Sequence, residues 1–407
     1  MATPSGSGPA PRDQDAVLPP LRLADFSLSS LVAGFICVLV GFTSSIVIVF
    51  QAAQASGAGP AETASWIWAL GIGCGLTSIG LSLRYRQPIV TAWSTPGAAL
   101  IAAGAMGATL PQATGAFLVV GALVFLCGIT KGFERTLSRI PLPMASAMLA
   151  GVLLRFGLDV FVAMQTRQAL VLGMCVAYLV GRRAWPRYAV LGALLVGLGV
   201  AGAQGLLHWG DVRIAVAVPV FTMPEFSWDV MVGVALPLFI VTMASQNVPG
   251  VATLRAAGYN APISPLISWC GAATAALAPF GGFSVNLAAI TAAICMGPDA
   301  HEDRNKRYTA AICAGGVYLL AGVFGATLVS LLAAFPRELV MAIAGIALIN
   351  TIGSGLATAM RDDMQREPAM ITFLITASGV TLGGIGSAFW GLVGGVLTLL
   401  VLRARRA

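Results

Sequence analysis

Charge is scarce in this sequence. Only 10% of its 407 residues are Asp, Glu, Lys or Arg, and 57% are hydrophobic. Soluble domains average about 25% charged and about 45–50% apolar residues. A chain so short of charge cannot cover a water-facing surface, which excludes a soluble fold. Histidine is nearly absent: His208 and His301 are the two present, with no HExxH-like spacing. The seven cysteines (Cys37, Cys74, Cys127, Cys175, Cys270, Cys295 and Cys313) stand singly in apolar segments without a CxxC pair. Their odd number argues against a disulfide framework. No metal, cofactor or catalytic residue is expected, and intramembrane hydrolysis has almost nothing to work with.

What is present is apolar length. Charge-free runs span 26–61, 87–130, 188–210, 230–254, 256–298, 308–336 and 368–402. Several hold about two crossings of ~20 residues each, so an all-α polytopic membrane protein is predicted. Fourteen spans are expected, near 28–53, 63–83, 88–107, 112–131, 136–160, 167–182 and 187–206, then 229–255, 263–278, 280–297, 308–333, 337–353, 367–382 and 386–403. The domain reading is a disordered cytoplasmic segment 1–27, a first seven-span repeat 28–206, an extracytoplasmic connection 207–228, a second repeat 229–403 and a cytoplasmic tail 404–407. Residues 1–20 lack the basic-then-apolar order of a signal peptide.

With both termini cytoplasmic, all but four of the 23 basic residues fall inside, the exceptions being Arg155, Arg167, Arg213 and Arg337. The net charge of +7 therefore belongs to topology and anionic lipid, not to nucleic acid. Because seven is odd, the second repeat starts from the opposite side of the membrane, which makes an inverted repeat.

Two stretches break helical logic inside charge-free runs: "TAWSTPGAAL" (91–100) and "PFGGFSVNLAAI" (279–290). Each falls in the third span of its half, making the third and tenth spans an extended segment plus a half-helix. An isolated Pro or Gly kink is ordinary packing in a membrane helix. Two at matching places, each followed by small residues, point to a transporter site, because non-helical backbone at membrane depth must be packed in protein or line a watery cavity. Thr95 is expected to cap a helix with Pro96 at its first position, with Gly97, Ala98 and Ala99 leaving backbone open to a ligand and Ser94 beside them as a further substrate-binding candidate. Ser284 or Asn286 is expected to cap the second half-helix, beside Phe283. Two helix N-termini near the midplane make an anion site from backbone. A third polar cluster, "TMASQNVPG" (242–250), sets Gln246 and Asn247 about 100° apart on a helix, so one can face a ligand while the other ties helices together. Thr43, Ser44, Ser45 and Gln51 occupy a similar place in the first span.

None of the sixteen acidic residues falls at mid-span, and the nearest are Asp159 and Asp229. Asp159 follows Arg155 by one helical turn, which suggests an ion pair. Both acids remain candidates for proton coupling.

The segments "TAWSTPGAA", "MASQNVPG", "RAAGY" (255–259), "NLAAITAAIC" (286–295), "GPDAH" (297–301) and "GIGSAFWGL" (384–392) resemble the BenE-type benzoate–proton symporter family. The likeness runs from about residue 28 to the C-terminus. It implies the fold shared with uracil permeases and sulfate-type anion carriers, with spans 1–4 and 8–11 as core and 5–7 and 12–14 as gate. It also implies benzoate as substrate, protons as coupling ion, a bacterial inner-membrane location and, by analogy with relatives of that fold, a homodimer. Phe280, Phe283, Trp93 or Phe42 would then wall the aromatic ring. A nucleobase transporter of the same fold is the alternative. Such carriers use acidic residues in spans 8 and 10, where this sequence has Gln246, Asn247, Ser284 and Asn286. A channel or another organic-anion carrier is also compatible.

Overall fold

A computed structural model describes residues 23–104, 108–131, 142–185, 189–298, 300–380, 382 and 387–404. The tail before residue 23, residues 384–386 of the last quoted motif and residues 405–407 lie outside the described residues.

The chain is helical almost throughout. The first half holds α1 (Leu28–Ala55), α2 (Pro60–Tyr85), α3 (Thr95–Gly104), α4 (Leu110–Ile129), α5 (Leu142–Thr166), α6 (Gln168–Ala184) and α7 (Ala189–Ala203). An irregular connection leads to α8 (Trp228–Arg255). Then follow α9 (Ile263–Leu277), α10 (Ile290–Met296), α11 (Tyr308–Val323), α12 (Gly325–Ala333), α13 (Arg337–Ala359), α14 (Arg366–Ser378) and α15 (Ser387–Ala404). Two three-residue strands, β1 (Thr91–Trp93) and β2 (Val285–Leu287), interrupt the helices. Among the described residues six helices are long and apolar enough to cross a membrane, or up to eight if each bent pair counts once. One bent pair is α11 and α12, which meet at 64°.

Packing separates two sets of helices. In one, α2 lies along α11, α4 along α9, and α1 against α11, α3 and α10; in the other, α5 lies along α13, α14 along α15 and α5, and α6 along α7. Small residues allow the closest crossings. At the α2–α11 crossing a Cβ on Gly71 would sit 2.5 Å from the Gly322 Cα, so any side chain there would push the helices apart.

The eighth helix is not uniform. Met231–Ala235 and Met243–Asn247 are π turns, with Leu236 N–H donating to Met231 O and Val248 N–H to Met243 O. Each π turn precedes a proline, Pro237 or Pro249. Proline offers no N–H and clashes with the carbonyl four residues back, and the wider turn absorbs both. π turns of this kind are frequent at functional sites.

The fifth helix differs from its expected bounds of 136–160. It continues to Thr166, which places Arg155 about 16 Å from its end at 1.5 Å per residue. Arg155 is within the helix, as the expected span also had it, but farther from its end.

Candidate functional site

The two broken stretches meet. β1 and β2 pair antiparallel in the register Thr91↔Leu287, Ala92↔Asn286 and Trp93↔Val285. Extended backbone buried this way must find its hydrogen bonds inside the protein, and polar side chains of neighbouring helices supply them. On α2, Ser78 Oγ accepts from Thr91 N–H at 2.9 Å, and Ser82 Oγ both accepts from Ile89 N–H and donates to Ile89 O. On α9, Thr274 Oγ1 accepts from Val285 N–H at 2.9 Å. The Ala288 N–H donates to Val90 O. A sequence scan for charge passes over Ser78, Ser82 and Thr274; the signal available for them was hydroxyl residues on otherwise apolar helices.

The half-helices leave opposite ends of this strand pair. α3 starts beside Trp93, and its cap is Ser94, not Thr95. Ser94 Oγ accepts from Gly97 N–H at 2.9 Å and Ser94 O from Ala98 N–H at 2.8 Å. Pro96 therefore occupies the second helical position, equally free of a partner requirement. Ser94 and Ala98 are fully buried. A Cβ on Gly97 would lie 2.7 Å from Leu238 Cδ1 of α8, so the first turn of α3 abuts that helix.

The second half-helix departs from expectation. α10 has only seven residues and begins after Ala289 with no side-chain cap. Ser284 and Asn286 do not cap it, because both are engaged elsewhere. The loop before β2 turns at Gly281, whose φ of +93° suits glycine alone. Any Cβ there would overlap the Trp66 indole.

Asn247 and Asn286 are the centre of a buried network. Asn247 Nδ2 donates to Asn286 Oδ1 at 3.1 Å and Asn247 Oδ1 accepts from Leu287 N–H at 3.1 Å. Asn286 Nδ2 donates to Ser284 Oγ at 2.6 Å, and Ser284 shares a 3.2 Å hydroxyl contact with Thr242. The second π turn of α8 is thereby fastened to β2. Of the adjacent amides, Asn247 is the one that ties segments together. Gln246 is half-buried, and among the described residues its amide makes no side-chain hydrogen bond.

The aromatic rings named in the sequence fall in separate clusters. Trp93 meets Phe42 edge-on at 4.7 Å and Tyr318 at 5.8 Å, and its Nε1–H donates to Ser45 Oγ at 2.9 Å. Tyr318, on α11, went unnoticed in the sequence because its helix carries no break. Phe283 lies in the other cluster, buried against Trp66 at 6.0 Å and Phe117 at 6.1 Å. Phe280 packs on Trp68 and Phe221. The half-buried Phe42 is therefore better placed than Phe283 to meet a ring beside β1.

The "RAAGY" motif is a clamp near the end of α8. Tyr259 Oη donates to Arg304 O, and the Arg304 guanidinium sits 4.7 Å above the Tyr259 ring. Burial pushes the Tyr259 phenol up in pKa, with Arg307 and Arg304 opposing. Arg307 Nη1 donates to Met296 O at 2.9 Å, closing the C-terminal end of α10.

The two acidic candidates lie away from the strand pair. Asp229 is exposed in the first turn of α8. Asp159 lines a cleft of about 740 Å³ together with Gln51, Ala102, Arg155 and Arg337. The expected Arg155–Asp159 ion pair is not formed: among the described residues the salt bridges are Lys306–Asp25 and Arg366–Asp363. This cleft includes none of residues 94–98, 246–247 or 283–286. Its nearest point on α3, Ala102, is about 12 Å along the helix from Ser94.

The family model for the benzoate membrane transport protein, BenE, matches residues 24–401. The chain belongs to this family. Among its relatives, the inner membrane protein YdcO of Escherichia coli K12 is 47% identical over 382 residues, covering 94% of this chain and 98% of that protein. The benzoate membrane transport protein of Acinetobacter baylyi ADP1 is 42% identical over 383 residues, covering 94% and 97%. The BenE family is one of membrane transporters and not of enzymes. Among solved structures, the murine Slc26a9 anion transporter in its inward-facing state aligns at a TM-score of 0.61 and 13% identity, over 95% of this chain and 70% of that one. The transmembrane domain of the cyanobacterial bicarbonate transporter BicA aligns at 0.58 and 16% identity, over 92% and 96%. At such identities the likeness is one of fold. The chain is thus a multi-pass helical membrane protein of the fold found in those anion transporters.

Proposed function

We propose that this protein is a secondary transporter that imports benzoate or a similar aromatic carboxylate with protons, by alternating access. The observation that carries the reading is the β1–β2 pair. The pair precedes the capped N-terminus of α3, with Phe42 against Trp93 of β1 and the second π turn of α8 fastened to β2; on this reading the substrate is held there, with Gln246 as a further contact. The dipole of α3 favours an anion at its N-terminus, and an apolar ring suits the wall. The demand is modest: micromolar binding needs about −8 kcal/mol, and nine heavy atoms at a ceiling of about −1.5 kcal/mol each can supply it.

We assign the spans as fourteen in a seven-plus-seven inverted repeat with cytoplasmic termini, so the 207–228 connection lies on the extracytoplasmic face. Supporting this, α2 lies along α11 as α9 lies along α4, and α5 lies along α13. An inverted repeat relates the first two pairs and maps the third onto itself. Ser78 of α2 and Thr274 of α9 likewise support β1 and β2 in the same manner. The α1–α4 and α8–α12 set is the core that carries the site, and the α5–α7 and α13–α15 set is the gate. The substrate's own carboxylate, Asp159 or Asp229 carries the proton. A homodimer through gate helices is the assembly we favour.

The test is uptake of radiolabelled benzoate by the purified full-length protein in vesicles, with and without an imposed pH gradient. Saturable uptake, stimulated by counter-flow and accelerated by an inward proton gradient, is expected. Flux that never saturates would make the protein a channel. Competition by uracil in place of benzoate would favour the nucleobase reading. Uptake indifferent to the gradient would remove symport and leave the carrier.

A further inference from the structure

Arg155 is placed expensively. It sits well within α5, about 16 Å from the helix end, and among the described residues no acid lies within ion-pair distance of it. A charged side chain within a helix assigned as a membrane span is costly unless it faces water or a functional cavity, and the exposed Arg155 lines the 740 Å³ cleft. Arg337 lines the same cleft from the first turn of α13. A cation there opposes the helix dipole, so helix stability does not account for it. Against these two guanidiniums the cleft holds one carboxylate, Asp159, leaving it net positive.

The rest of the lining matches the charge. Gln51 contributes an amide, and Phe50, Phe156 and Phe335 contribute rings. The volume is within the range of ligand pockets, about 300–1,000 Å³. The cleft lies between the two helix sets, with α1 and α3 on one side and α5 and α13 on the other. It is on the face crossed by the 204–227 connection, where His208 N–H donates to Ala334 O.

We propose that this cleft is a peripheral carboxylate subsite, in which Arg155 and Arg337 hold an aromatic carboxylate before it passes to the β1–β2 site. The inference rests on the transport reading above. Clefts lined by one sign of charge raise local ligand concentration in a salt-dependent way, and planar guanidiniums pair with carboxylates through two parallel hydrogen bonds. The subsite is distinct from the strand-pair site, being built from the side chains of Arg155, Arg337 and Gln51 and not from a helix N-terminus.

The experiment compares wild type with Arg155→Gln, Arg337→Gln, the double variant and Arg155→Lys in vesicles, reading initial benzoate uptake against concentration and ionic strength. Calorimetric binding to the same proteins is measured alongside. Arg361→Gln, exposed beyond α13, serves as the control with wild-type behaviour. Each single Gln variant should raise the apparent KM about tenfold, the loss of one charge-assisted contact, with a much smaller fall in maximal rate. Salt should depress wild-type uptake more than uptake by the double variant, and Arg155→Lys should restore part of the salt response. If the variants match wild type in KM and salt dependence, the subsite is overturned while the transport reading stands. If maximal rate collapses while KM holds in folded protein, the arginines act in the transport cycle and the subsite is again overturned. If wild type neither binds nor carries benzoate, the function reading fails first, and the ligand assigned to this cleft fails with it.

Discussion

Asn247 Nδ2 donates to Asn286 Oδ1 at 3.1 Å, and with the Leu287 N–H bond to Asn247 Oδ1 this contact joins the wide turn of α8 to β2. Both residues are buried. Removing either leaves the other with an unsatisfied polar group, which costs about 1–3 kcal/mol. Asn286→Ala and Asn247→Ala should therefore each lower thermal stability in detergent, and the double variant should lose less than the sum. The network gives Asn286 a structural part beside the capping one expected from the sequence. Additive losses would show that the two amides are not coupled.

Gln246 is expected to behave oppositely. With no internal hydrogen bond to lose, Gln246→Ala should melt as wild type does. Benzoate affinity should drop by about 1.5–3 kcal/mol, the worth of a hydrogen bond to a charged group. Unchanged affinity in a calorimeter would remove Gln246 from the site.

Ser94→Ala should weaken benzoate binding together with helix stability, by about 1 kcal/mol for the lost cap, and Ser94→Thr should retain most of both. Gly97→Leu should abolish binding, because its side chain would run into Leu238 and the Ser94 hydroxyl. Normal uptake by Gly97→Leu would place the substrate away from α3.

Gly281→Ala combines two faults, a φ of +93° and overlap with Trp66. Strain of that kind costs about 1–3 kcal/mol and overpacking about 1–3 kcal/mol more. Poor yield of folded protein is expected. A monodisperse variant melting within a degree or two of wild type would refute this account of the loop.

Asp159→Asn and Asp229→Asn separate the routes for the proton. Loss of gradient-driven uptake with benzoate exchange at equal pH intact would mark that residue as the coupling acid. Full coupling in both would leave the substrate's carboxylate as carrier. With a pKa near ~4, about one molecule in a thousand is protonated at pH 7, so the proton would have to be picked up at the protein.

The broken segments were legible because Pro96, Gly97, Pro279, Gly281 and Gly282 have local signatures. Their pairing was not, because no local rule joins Ala92 to Asn286. The cap at α3 was misplaced by one residue, since proline is tolerated at either of the first two helical positions. Likewise hidden were the α8 wide turns and the cleft that Arg155 lines. The turns depend on how Pro237 and Pro249 are accommodated in three dimensions, and the cleft on how α1, α3, α5 and α13 pack. Tyr318 and Thr274 gain their places only from packing.

The strand pair also bears on how the chain is made. Ala92 must wait for Asn286 to be synthesised before either strand has its partner. Until then the β1 backbone is in the bilayer with one edge leaning on Ser78 and Ser82 and the other unpaired, where each unmet amide costs several kcal/mol. The first half emerging from the ribosome is thus an unfinished object that needs shelter, from the insertion machinery or from water, until the second half arrives. Two halves produced as separate polypeptides would face the same wait, and would be rescued only by finding each other in the membrane.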